Sequence, residues 1–201
     1  MNIALVDYGA GNVPSVERAV QKLGATTRRV TQPEELSVAK AIILPGVGHY
    51  AAIIRALDTQ NLRTALLQAI SRGVPFLGIC LGLQALYASS EEAPTFAGLN
   101  LLAGEVRSLP NTVKLPHMGW NRVQEVKASP LLEGLNGSDY FYFAHSFAVT
   151  NSLSDAVAIC EHGISFTAVL QRDNIFATQF HPEKSGDAGA RLLKNFLGLA
   201  A

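Results

Sequence analysis

Cysteine is scarce: the 201 residues hold only Cys80 and Cys160. Two thiols cannot build a disulfide scaffold, and so low a count fits a reducing cytoplasm better than an oxidising compartment. An excess of charge is missing too. Lys+Arg and Asp+Glu number 16 each, for a formal net charge of zero. Without a concentrated basic surface, no binding to nucleic acid is expected. A neutral, apolar-rich surface does leave room for a protein partner. Long hydrophobic runs are also absent. The longest apolar stretch, residues 74–88, is broken by Pro75, Gly78, Gly82 and Gln84, whereas a membrane helix needs about 20 apolar residues. Residues 1–7 show no basic leader, and their apolar run is too short for a signal peptide. A cytoplasmic protein away from membranes is expected. Repeats, linkers and low-complexity stretches are lacking, so a single domain over residues 1–201 is expected.

What is present is an ordered alternation. Short apolar runs at 3–6, 26–30, 41–44 and 74–79 read as strands, with helical periodicity at 13–23, 50–57 and 62–71. Val16, Ala19, Val20 and Leu23 share one face of the first helix. The run at 74–79 does not alternate, which suits a strand covered on both faces. This pattern predicts an α/β fold with a doubly wound, mostly parallel central sheet. The second half is richer in β signals, at 99–106, 122–126, 140–149, 156–160, 166–170 and 175–180. These read as antiparallel additions to the sheet, and a last helix over 188–197 closes the chain.

Gly78-Ile79-Cys80-Leu81-Gly82 stands where a buried strand meets a helical pattern carried by Leu83, Leu86 and Tyr87. Glycines two residues either side of one reactive side chain suit a strained strand-to-helix turn that exposes a nucleophile. The following helix would aim free N–H groups and its positive dipole end at the sulfur, favouring thiolate. The Leu81 N–H would face the oxyanion formed on attack. Free cysteines more often act as small buried hydrophobes. Cys160, with no such turn around it, keeps that reading.

A thiolate nucleophile needs a proton acceptor, and histidine titrates in the right range. Of His49, His117, His145, His162 and His181, only His181 has a built-in orienting group, in Gln179-Phe180-His181-Pro182-Glu183. In an extended segment His181 and Glu183 face the same side, and Pro182 biases the residue before it towards that geometry. Glu183 would then fix the tautomer that aims the other nitrogen at Cys80. His-Pro-Glu alone also suits a surface turn; with the elbow upstream it reads as base and anchor.

Taken together, Gly78–Gln84 and Gln179–Glu183 resemble the class I (triad) glutamine amidotransferases. Asp7–Asn12, Leu44–Gly48, Pro116–Asn121, His145-Ser146-Phe147 and Lys184-Ser185-Gly186 are similar to one branch, the glutaminase subunits of imidazole glycerol phosphate synthase. The similarity spans essentially the whole chain. Departures are mild: Leu83, Ala144, Phe147 and Ala177 replace more usual residues, and none is a reacting group.

The resemblance implies a flavodoxin-like sheet and a glutaminase that uses no cofactor and no metal. Cys80 would form a thioester with glutamine, His181 would shuttle protons and Glu183 would orient His181. Val47 and Leu81 would supply oxyanion N–H groups, with Gly46 and Gly48 letting the Val47 peptide rotate beside the substrate. Gln84, His145 and Ser146 would contact glutamine. Asn12, Trp120 and Lys184 would face the partner, a TIM-barrel cyclase subunit forming a heterodimer with this chain.

Other readings stay open at this point. One is an amidotransferase subunit of another pathway; a second is a stand-alone γ-glutamyl cysteine hydrolase; a third is a binding subunit without activity. Gly9-Ala10-Gly11 imitates a dinucleotide loop, but Pro14 stands at the third glycine's place and no acidic residue follows near Val30. His117 and His145 lack the spacing of a metal cluster. Trp120 suits an interface and a core equally well.

Overall fold

The computed structural model describes residues 2–9 and 12–200. The Gly9–Gly11 turn therefore falls partly outside the described residues. The amino-terminal half runs β1 (Asn2–Val6), α1 (Val13–Lys22), β2 (Thr26–Val30), β3 (Ala41–Gly46), α2 (Tyr50–Thr59), α3 (Leu62–Ser71), β4 (Phe76–Cys80) and α4 (Leu81–Gln84). There follow β5 (Val106–Ser108), β6 (His117–Arg122), β7 (Gln124–Glu125), β8 (Tyr140–His145) and β9 (Phe147–Val149). The chain closes with β10 (Ala156–Glu161), β11 (Ser165–Arg172), β12 (Ile175–Thr178) and α5 (Gly186–Leu199).

Eight strands form one sheet in the order β2-β1-β3-β4-β12-β11-β10-β7. The first five are mutually parallel, and β11, β10 and β7 continue it antiparallel. The parallel part is wound in the flavodoxin manner, which places ligands at the carboxyl ends of the strands.

Both faces of the sheet are covered, which is why its strands read as continuous apolar runs. Successive β1 side chains point to opposite faces. Ile3 and Leu5 meet α1 and α5, where Val13, Val16, Val20, Leu192, Leu193 and Phe196 are buried. Ala4 and Val6 face α2 and α3, where Ile53, Ile54, Leu57, Leu66 and Ile70 are buried. No helix among the described residues is long and apolar enough to cross a membrane.

The second half departs from expectation in four places. Residues 99–105 form no strand: Leu102 makes one isolated bridge to Tyr87, and Gly104 bends the chain at φ +112°. The expected strand over 140–149 breaks at Ser146 into β8 and β9, which take different partners, β6 and β5. These two ribbons stand apart from the main sheet. Residues 117–122, read only as a motif, are strand β6. Finally, β12 is no antiparallel addition. The turn at Asp173 (φ +52°) reverses the chain after β11, so β12 returns parallel to β4 and lies directly beside it.

Candidate active site

A cleft of about 610 Å³ opens where β3, β4 and β12 end, and Asn12, Val47, Cys80, Leu81, Gln84, His145 and His181 all line it. Cys80 holds φ +54° and ψ −104°, a conformation that costs a non-glycine residue about 1–3 kcal/mol. The surrounding glycines make it possible. Gly46 pairs with Cys80 in the sheet, and a Cβ there would lie 2.7 Å from both Gly82 N and Leu81 Cβ. A Cβ at Gly78 would meet Gly82 O at 2.7 Å, and one at Gly82 would meet Leu44 O at 2.0 Å. Only bare backbone lets β3, β4 and the elbow close on one another. Gly46 itself does not line the cleft, so its role here is packing.

The helix expected after the elbow is shorter than its sequence pattern. Only Leu81–Gln84 is helical, because Leu86 and Tyr87 leave the helical path to pack in the core and to bridge Leu102. One turn still leaves backbone N–H groups free near the sulfur, but it sums few peptide dipoles.

His181 and Glu183 meet as expected, though not through an extended segment. Pro182–Lys184 is a 3-10 turn, in which proline at the first position fits naturally. His181 Nδ1 lies 2.9 Å from Glu183 Oε1, with both side chains buried. The backbone is pinned: His181 N donates to Tyr142 O at 2.9 Å, and Ser185 Oγ donates to His181 O at 2.6 Å. Burial alone would depress the His181 imidazolium. Cys80, as neighbouring charge and acceptor, and then Glu183 outweigh it and raise the ring from 6.5 to about 10. The site thus favours an imidazolium at His181, beside Cys80. Asn12 Nδ2 donates to the same Glu183 Oε1 at 3.3 Å. Glu183 Oε2 is buried without a hydrogen-bond partner among the described residues.

Val47 and Leu81 both line the cleft. Gly48 stands at φ +96°, with nothing within 4 Å of where a Cβ would be. Tyr8 is buried nearby, and its hydroxyl makes no hydrogen bond among the described residues. Burial pushes the Tyr8 phenol up, the Val47 backbone counters this, and the Cys80 charge adds to it.

Gln84, His145 and Ser146 are also in the cleft wall. The Gln84 amide donates to Phe147 O at 2.8 Å and to Gln179 Oε1 at 3.1 Å. Its two N–H groups are thereby used, leaving its oxygen for a ligand. His145 Nδ1 contacts Phe147 O at 2.9 Å, and its Nε2 contacts His117 Nδ1 at 3.1 Å. Both nitrogens are occupied, so a ligand meets the carbon edge of the ring. Burial, with the neighbouring His117 charge, pushes His145 down to about 3, and burial pushes His117 down to about 4. Trp120 is 55% exposed, edge-on to Tyr142 and outside the cleft, beside Met118 at 64%. Lys184 lines the cleft, with Nζ 5.6 Å from the Tyr142 ring centre.

Three residues escape the sequence reading. Glu92 brings a carboxylate to the cleft and is held by Tyr50 N at 2.7 Å. Ser185 fixes the His181 main chain. Gln179 is fully buried, with Nε2 3.6 Å from Cys80 Sγ. Its signal is a polar amide within the β-rich run 175–180, two residues before His181.

The family model described as glutamine amidotransferase class-I matches residues 4–199. The chain is 47% identical over 195 residues to the imidazole glycerol phosphate synthase subunit HisH of Methanothermobacter thermautotrophicus, covering 97% of each. The same subunit of Moorella thermoacetica is 45% identical over 195 residues, covering 96% of this chain and 93% of the relative. Among solved structures, a glutamine amidotransferase superposes with a TM-score of 0.77 at 20% identity, covering 98% of both chains. PurLQS from Thermotoga maritima gives 0.79 at 19% identity, covering 100% of this chain and 99% of that one. At such identities the solved structures speak for the fold alone.

Proposed function

Because the chain belongs to the class I glutamine amidotransferase family, we propose that it is the glutaminase subunit of an imidazole glycerol phosphate synthase, with Cys80, His181 and Glu183 as its reacting set. The observation that carries this reading is the strained Cys80 elbow sharing one cleft with a buried His181–Glu183 pair.

The chemistry follows from the geometry. The Cys80 thiolate attacks the side-chain amide carbon of L-glutamine, and His181 holds the proton the sulfur has lost. The developing oxyanion takes N–H groups from Leu81 and, when its peptide is suitably turned, from Val47. His181 passes its proton to the departing nitrogen, and ammonia leaves a thioester on Cys80. Water, deprotonated by His181, then attacks the thioester and releases glutamate. Glu183 keeps the Nδ1–H of His181 directed away from the reacting atoms throughout. Glu92 is suitably charged to hold the α-ammonium of glutamine, and the free oxygen of Gln84 can accept a further N–H.

The ammonia has a use only if it stays unprotonated. In water at neutral pH it is mostly ammonium, which has no lone pair for attack, so a sealed route to the acceptor is needed. The relatives' names describe them as synthase subunits, which supports a partner subunit for this chain. We assign that partner as a TIM-barrel cyclase that turns the ammonia and a phosphoribosyl intermediate into imidazole glycerol phosphate and aminoimidazole carboxamide ribotide. Asn12, Trp120 and Lys184 would face it. Gly48, with open space around it at φ +96°, would let the Val47 peptide turn when the partner binds, so activity would be weak alone and strong in the complex.

The test measures ammonia release from glutamine by this chain with and without the cyclase and its acceptor. Cys80→Ala abolishes glutamine use while the cyclase still consumes added ammonia. A Cys80→Ala protein that keeps using glutamine, or an isolated chain at full activity, removes this reading.

A further inference from the structure

Cys80 has a neighbour on each side within the sheet. Gly46 pairs with it from β3. On the other side Thr178 of β12 pairs with Ile79, so the next residue along, Gln179, comes level with Cys80. Its side chain is fully buried, and a buried carboxamide requires partners for both its ends. Nε2 lies 3.6 Å from Cys80 Sγ, and Oε1 accepts from Gln84 Nε2 at 3.1 Å.

The orientation of that amide is not arbitrary. Phe147 O can only accept, so Gln84 must present its NH2 group there, at 2.8 Å. The same NH2 group reaches Gln179, which must answer with its oxygen. That leaves the Gln179 NH2 for sulfur. Exchanging O and N in either amide would set two donors, or two acceptors, against each other. The far side of the chain has the same polarity. His145 Nδ1–H donates to Phe147 O, neutral His145 Nε2 accepts from His117 Nδ1–H, and His117 Nε2 accepts from Asn121 Nδ2 at 3.3 Å. Asn121 is locked in turn, donating to Glu161 O at 3.1 Å and accepting from Arg122 N at 2.8 Å.

A thiol sulfur is a weak acceptor and a thiolate a strong one, so an N–H fixed on Sγ stabilises the charged form selectively. We propose that Gln179 is a further catalytic residue: its carboxamide N–H, aimed by Gln84 and Phe147 O, holds the Cys80 sulfur as thiolate on the side opposite Gly46. The inference rests on Cys80 being the nucleophile.

The test follows the pH dependence of Cys80 alkylation by iodoacetamide in the full-length chain. Cys160 stays silent, because burial pushes its thiol to about 12. Gln179→Met keeps the length and removes the donor. It moves the midpoint of the profile up by about one pH unit, which slows alkylation about tenfold at pH values below the wild-type midpoint. Gln179→Glu, which sets an oxygen against the sulfur, moves it further. A role limited to packing leaves the midpoint where it is in the wild type, and that result overturns the inference. Should neither variant fold, the wild-type chain answers: the Gln179 side-chain 1H–15N signals titrate with the Cys80 midpoint and cease to do so in Cys80→Ser. A Gln179 amide indifferent to that titration also overturns it. If Cys80→Ser still releases ammonia from glutamine, the nucleophile assignment itself fails, whatever the Gln179 variants show.

Discussion

His181 Nδ1 sits 2.9 Å from Glu183 Oε1, inside a single 3-10 turn that buries both side chains. That contact holds Nδ1–H on the carboxylate and leaves Nε2 for Cys80.

Glu183→Gln keeps the shape and removes the charge. The His181 value of about 10 depends in part on Glu183 as charge and acceptor, so the ring's midpoint falls. Glutamine hydrolysis drops by about 10⁴-fold, the order seen when such an orienting carboxylate is neutralised. NMR titration of the His181 ring and a steady-state assay check both. A midpoint that stays put removes Glu183 from this role.

Gly82→Ala tests the elbow. Its Cβ would stand 2.0 Å from Leu44 O, and backbone on both sides must give way. A loss of about 3 kcal/mol in unfolding free energy is expected, at the upper end for overpacking, together with loss of glutaminase activity. Gly198→Ala, with no atom within 4 Å of the new Cβ, serves as the control and leaves stability unchanged or slightly higher. Equal urea midpoints for the two variants would falsify the packing account.

Acid should destabilise the fold through His117 and His145. Folding holds them at about 4 and about 3, against about 6.5 in an unfolded chain. Below 6.5 the unfolded state binds more protons, so their contribution is complete above that pH and is lost as pH falls towards 4. Each group adds up to about 1.4 kcal/mol of loss per pH unit across that window. Urea unfolding as a function of pH gives the slope, and ring 15N shifts give the protonation state. Both rings remain neutral, with hydrogen on Nδ1, down to about pH 5; an imidazolium signal from either at pH 6 contradicts the network.

Much of this site is legible in the residues alone, for identifiable reasons. Glycine spacing around Cys80 reflects a local steric need, and His181-Pro182-Glu183 carries its orienting group within three positions, so neither depends on distant contacts. The parallel strands are equally readable, because burial on both faces leaves continuous apolar runs. Strand partners are another matter. Residues 175–178 have the same local pattern whether they lie parallel or antiparallel to a neighbour. Gln179 consequently could not be placed beside Cys80 until the sheet order was known. The 3-10 turn at Pro182–Lys184 was hidden because proline suits its first position as well as it suits an extended segment. The one-turn α4 was overextended because Leu83, Leu86 and Tyr87 are apolar for the sake of the core, not for a helix face.

Trp120→Ala probes the proposed partner face. The ring is 55% exposed and touches Tyr142 edge-on, so its removal leaves the melting temperature unchanged within error. Association with the proposed cyclase partner should weaken by about 2 kcal/mol, roughly 30-fold in Kd, if the ring is an aromatic anchor of that interface. Calorimetric titration of the two subunits decides it; an unaltered Kd places the interface elsewhere.

The β6–β8 ribbon joins two places that a loop would have kept apart. Trp120 and Tyr142 are paired across it, as are His117 and His145, and the carbonyl of Tyr142 receives the main-chain N–H of His181. Outer surface and imidazole are therefore connected through one doubly stranded ribbon. A tilt applied at the indole end would reach the base through Tyr142, while Gly119, at φ +136° beside Trp120, sets how much of it β6 takes up.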